Sequence, residues 1–164
     1  MPKNNFWFPA IAGLCAMFIG LGLCRFAYTP LIPALITHHW VTKAGAGYLG
    51  TINFVGYLLG AFSSRYLSRY KKLSACVKIS MLVSIVGLAT CAINLGFVWL
   101  AIWRFAVGVT GGILMVLTPS VILANTPKQY KGRVSGLIFT GVGVGIVVSG
   151  FVVPPLANMS LAMA

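Results

Sequence analysis

The chain has 164 residues, 59% of them hydrophobic before its 19 glycines are counted, and only 7% charged, where a soluble domain carries about 25%. Twelve Lys and Arg face no Asp or Glu, which removes paired-carboxylate hydrolysis, aspartate-oriented triads and Ca²⁺ or Mg²⁺ cages from the chemistry of this chain. The positive surplus does not read as a nucleic-acid footprint either, because the basic residues sit in short clusters between apolar runs rather than on one solvated face.

Crossing a hydrocarbon core about 30 Å thick takes roughly 20 apolar residues in a helix, since backbone groups must not be left unpaired in lipid. Five stretches meet this requirement, approximately 8–36, 46–67, 74–95, 98–123 and 133–156. Together they form a single transmembrane domain, and the chain is read as an all-α integral membrane protein. The first stretch follows Lys3 but is too long for the roughly 7–15-residue core of a signal peptide. The bulky Leu14 before Cys15 also argues against a lipoprotein site, so the span is expected to be retained. Near its end Arg25 is followed by Pro30 and Pro33, each of which removes a backbone donor. They either kink the span there or end it early.

The connection to the second span carries His38, His39 and Lys43, and the two histidines are read as a solvated loop pair. Span 2 holds Asn53, with Gly56 and Gly60 four apart, and is followed by Arg65, Arg69, Lys71, Lys72 and Lys78. Span 3 ends in the uncharged Asn94-Leu95-Gly96 turn. Span 4 contains Arg104 with Gly108 and Gly112, and then come Lys128, Lys131 and Arg133. Span 5 contains Gly141, Gly145 and Ser149. Small residues four apart let membrane helices approach backbone to backbone, and helix packing is the expected role of Gly56, Gly108, Gly112, Gly141 and Gly145. Cys15, Cys24, Cys76 and Cys91 form no C-x-x-C pair and have no histidine at ligand spacing; they are read as small apolar residues. No metal or other cofactor is expected.

Lys and Arg bias short loops toward the cytoplasm. The N-terminus and the connections after spans 2 and 4 carry one, five and three basic residues, nine of the twelve, whereas the opposite side has Lys43 alone. The N-terminus is therefore expected in the cytoplasm and the uncharged end, Pro155 to Ala164, outside it. The remaining two cations, Arg25 and Arg104, lie inside spans, in the outer half. An Arg near the bilayer centre costs about 2.5–3.5 kcal/mol on insertion scales, and such residues face a bundle interior or a wet cavity as a rule. With no carboxylate in the chain, their possible partners are backbone carbonyls, Asn53, Tyr28, another segment, or an anionic solute gripped by the guanidinium fork. The alternative is snorkelling to the interface, which suits Arg104 better than Arg25.

Self-comparison gives two short matches: Gly47, Gly56 and Gly60 recur with the same spacing as Gly132, Gly141 and Gly145, and Arg25-Phe26-Ala27 recurs as Arg104-Phe105-Ala106. Both pair span n with span n + 3, the pattern of a three-helix unit repeated with inverted topology, although the arginine match has the shorter offset and the two disagree.

These residues resemble the N-terminal half of a bacterial major facilitator superfamily transporter, in a branch labelled efflux permeases. The run from Gly20 to Pro33, Gly-Leu-Gly-Leu-Cys-Arg-Phe-Ala-Tyr-Thr-Pro-Leu-Ile-Pro, carries most of the likeness. Arg104 and Gly108 match the family's Arg-x-x-x-Gly motif in span 4. Gly136, Gly141, Gly145 and Gly150 match its span-5 glycines loosely, with Pro154 displaced. In the loop signature after span 2, Gly60, Arg65 and Arg69 match, but Ser64 stands where the family has an Asp that helps latch the cytoplasmic gate, and Leu67 replaces a Gly. The resemblance implies a helical bundle built as an inverted repeat of three plus three helices with the sixth missing, and helices 1 and 4 lining a cavity.

The expected function is therefore transport of a small polar or anionic solute across the inner membrane, not enzymatic catalysis, with Arg25, Tyr28, Asn53 and Arg104 as cavity residues and Gly60, Arg65 and Arg69 as the gating motif. Partners would be the lipid bilayer, the solute, and a missing C-terminal half or an oligomer partner, with no nucleic acid. Five helices alone are not expected to be competent. The competing readings are an autonomous small oligomeric membrane protein and an inactive remnant of a transporter gene.

Overall fold

The computed structural model describes residues 7–67 and 73–161. Five long helices follow one another: α1 (Trp7–Thr37), α2 (Lys43–Leu67), α3 (Leu73–Thr90), α4 (Phe97–Ala124) and α5 (Lys131–Leu161). A single 3₁₀ turn, Lys128–Tyr130, leads into α5. There is no strand among the described residues. Four of the helices are long and apolar enough to cross a membrane; α2 is not one of them. Its 25 residues are ample at a rise of about 1.5 Å per residue, but Asn53, Ser63, Ser64 and its glycines lower its hydropathy.

Local chemistry sets the ends. His39 adopts a left-handed φ of 57° after α1, and Trp40 N–H closes back on the Leu35 carbonyl at 3.0 Å. Thr42 Oγ1 then accepts the Gly45 N–H at 3.1 Å and caps α2. The apolar run of span 3 extends to 95, but the helix stops at Thr90. Gly96, at φ 94°, turns the chain while Asn94 Oδ1 accepts its N–H, and Trp99 Nε1 donates back to the Thr90 carbonyl at 3.2 Å. Lys78, expected in a connection, lies in the second turn of α3 and is exposed.

The irregularity of α1 precedes the prolines. Residues Phe18–Leu23 form a π-helical segment, and the helix is interrupted again at Ala27, one turn before Pro30. Pro30 then occupies the first turn of Tyr28–Thr37, where its missing donor costs nothing, and Pro33 is carried inside that helix. The prolines do not end the span.

Two helix pairs are seated backbone on backbone. In the α2–α4 pair, a Cβ at Gly56 or Gly60 would strike the carbonyls of Phe105 or Val109, and one at Gly108 or Gly112 those of Asn53 or Tyr57. In the α1–α5 pair, a Cβ at Gly141 would strike the Leu14 carbonyl, and Gly145 rests on Gly22 and on the Phe18 carbonyl. Gly141 and Gly145 thus stand to α1 as Gly56 and Gly60 stand to α4. The acceptor residues fix the register: Phe105 answers to Leu14, and Val109 answers to Phe18 at the same offset. Gly20 and Gly111, separated by that offset again, meet where α1 crosses α4. The Arg25-Phe-Ala and Arg104-Phe-Ala match has a shorter offset and is out of this register, so the two arginines are not structural equivalents. Helix α3 packs on α4 through Gly87 against Val107 and a 2.8 Å hydrogen bond between the Ser84 and Thr110 hydroxyls.

Candidate functional site

A cavity of about 290 Å³ lies between the C-terminal half of α1 and the N-terminal half of α2. Helix α1 contributes Arg25, Tyr28 and Thr29 to its wall, and α2 contributes Gly47, Gly50, Asn53 and Phe54. Space exists because Gly47 and Gly50 present no side chain there; a Cβ at Gly47 would meet nothing within 4 Å.

The half-buried Arg25 has no carboxylate to face. Its guanidinium carbon sits 4.2 Å from the Phe54 ring centroid and 4.9 Å from that of Tyr57, with Phe26 at 5.8 Å. Stacking on aromatic faces offsets part of the cost of a charge at low dielectric and leaves the N–H edge of the fork for an anion. Residues 50, 53, 54 and 57 follow helical spacing, so Gly50, Asn53, Phe54 and Tyr57 share one face of α2.

Arg104 is placed differently from the expectation. It is 4% exposed and lies behind Tyr28, its guanidinium 4.0 Å from the centre of that ring, rather than on the cavity wall. Tyr28 in turn donates its hydroxyl to the Ala46 carbonyl at 2.8 Å, and Asn53 Nδ2 donates to the Arg104 carbonyl at 2.9 Å. Arg25, Tyr28 and Asn53 therefore meet at one cavity, and Arg104 supports it from behind. Phe54, on the cavity wall, and Tyr57, stacked with Arg25, are additions to the residues expected. Their signal in the sequence is the i, i+3, i+4, i+7 face of α2 opposite an arginine lacking an acid.

The loop-motif residues lie at the other end of α2. Gly60 is in the α4 contact, Arg65 is exposed, and Arg69 lies outside the described residues. Ser64, where the resembled family has an acid, is buried and donates to the Gly60 carbonyl at 2.8 Å. Its hydroxyl is spent within its own helix.

Residues 17–163 match the family described as "Uncharacterised MFS-type transporter YbfB". The chain is also 30% identical over 152 residues to the niacin transporter NiaP of Acinetobacter baylyi, an alignment covering 88% of this chain and 33% of that protein. It thus spans about a third of the length of this curated relative. No solved structure matches the chain. An all-helical bundle with four strongly apolar spans and a family match over nearly its whole length leads to one assignment: the chain is a multi-pass membrane protein belonging to the major facilitator transporter family.

Proposed function

We propose that this chain forms the solute-facing N-terminal part of a secondary permease of the inner membrane, and that its solute is a small planar anion. The observation carrying this reading is Arg25, held on the Phe54 and Tyr57 rings at the wall of the cavity. A carboxylate would take the guanidinium edge bidentately while an attached ring packs among the same aromatics. The relative named a niacin transporter fits this chemistry, since niacin is an aromatic carboxylate. Alternating access rocks two halves around a midplane site, so the cycle is assigned to an assembly with further helices, supplied by a C-terminal half or another chain. With no Asp or Glu in this chain, any coupling carboxylate belongs to that other part.

Equilibrium dialysis of the purified chain with labelled nicotinate, benzoate and nicotinamide tests the site. The two anions are expected to bind and the neutral amide is not. Arg25→Ala is expected to weaken anion binding by roughly 10- to 100-fold, the worth of one charge-assisted pair. Equal binding of nicotinamide, or unchanged binding in the variant, would sink the reading.

A further inference from the structure

A second cavity, about 190 Å³, opens among α1, α3 and α4 at the opposite end of the bundle from the Arg25 site. Its wall is apolar and includes Pro9, Gly13 and Ile122, with Ser74 and Lys78 exposed at its rim. Four residues apart on α3, these two present a hydroxyl and an ammonium on one helical face. Thr118, 2% exposed, also lines it.

The hydroxyl of Thr118 is the unusual feature. Helical Ser and Thr ordinarily donate to a carbonyl one turn back, as Thr51, Ser64, Thr90, Thr110 and Ser120 do here. Thr118 Oγ1 is buried and has no hydrogen-bond partner among the described residues, and a buried donor left unpaired is costly. The cavity therefore offers an apolar slot, a donor inside it and a cation at its mouth.

We infer that this cleft binds one anionic glycerophospholipid. The phosphate accepts from Lys78 and Ser74, an ester carbonyl beneath the headgroup accepts from Thr118, and an acyl chain fills the apolar wall. A lipid supplies an anion and a carbonyl in that order along its length. Lys78 lies near the start of α3 and Thr118 in the last turns of α4, and both line the same cavity toward the basic end of the bundle. On the orientation that the loop charges predict, the basic end of the bundle faces the anionic cytoplasmic leaflet.

Native mass spectrometry of the full chain, mixed with equal amounts of phosphatidylglycerol and phosphatidylcholine, provides the test. One phosphatidylglycerol is expected to be retained in preference to phosphatidylcholine. Lys78→Gln should reduce that preference about fivefold, the effect of one lysine near an anionic surface, while Lys128→Gln leaves it unchanged. Thr118→Val, close in shape to the original, should lower retention of both lipids without changing the preference. Circular dichroism establishes that each variant is helical, with Ser74→Ala as the second rim variant should Lys78→Gln fail to fold. Equal retention of the two lipids, or a preference untouched by the rim variants, would overturn the inference. None of these readouts depends on transport or on the Arg25 site.

Discussion

Taking a guanidinium out of water costs several kcal/mol, and against this Arg104 sets the Tyr28 ring, worth about 2 kcal/mol when desolvated. The cost exceeds the gain. Arg104→Met, which keeps the length and removes the charge, is therefore expected to raise the stability of the purified chain by about 1–4 kcal/mol, as with other buried charges replaced by apolar residues. Thermal unfolding in detergent measures it. A lowered midpoint would mean that an anion is held against this arginine. The sequence makes both arginines candidates because neither has an acid to meet. It separates them the wrong way, favouring snorkelling for Arg104, because the burial of that residue rests on Tyr28, which turns one face of its ring toward Arg104 on α4. For the same reason Phe54 and Tyr57 are lost among the aromatics of an apolar span until α1 and α2 are laid side by side.

At the level of helices, the spacing of the glycines is legible and their partners are not. Glycines four apart announce close packing, yet of those in α5 it is Gly141 and Gly145 that touch α1 while Gly136, Gly143 and Gly150 face open space. This separates two substitutions that look alike in sequence. Gly60→Val forces side-chain atoms onto the Val109 carbonyl and is expected to destabilise the chain by about 1–3 kcal/mol. Gly143→Ala meets nothing and gains helix propensity, up to about 1 kcal/mol. Denaturant titration followed by circular dichroism compares them, and equal effects would contradict the packing. The π segment of α1 is not legible. It arises where Gly20 and Gly22 bring the helix against Gly111, Leu114 and Gly145, which are contacts made across the bundle.

For the whole molecule, the repeat is visible in the sequence as two matches whose offsets disagree. The structure keeps the glycine match of α2 with α5, and it sets α1 against α4 at a longer offset than the Arg-Phe-Ala match implies. Glycines at a contact are held by sterics, whereas a three-residue run such as Arg-Phe-Ala recurs by chance. The distribution of basic residues makes a further prediction at this scale. With Arg65, Lys128, Lys131 and Arg133 at one end of the bundle and Lys43 at the other, Lys43→Cys should react with an impermeant maleimide on intact cells. Lys131→Cys should react only after the membrane is opened; the opposite pattern would reverse the orientation expected from the loop charges.

The backbone contacts divide the bundle mechanically. Helices α2 and α4 hold each other closely, and so do α1 and α5, since carbonyls pressed against glycine Cα atoms leave no side chain between the backbones at those contacts. Between the pairs, α1 crosses α4 where the Gly20 carbonyl faces Gly111 and the Leu114 side chain fills the space at Gly20. Arg25 belongs to the α1–α5 pair, while Phe54 and Tyr57 belong to the α2–α4 pair. Any displacement of one pair against the other would therefore change the aromatic grip on the arginine, so the proposed site would register it.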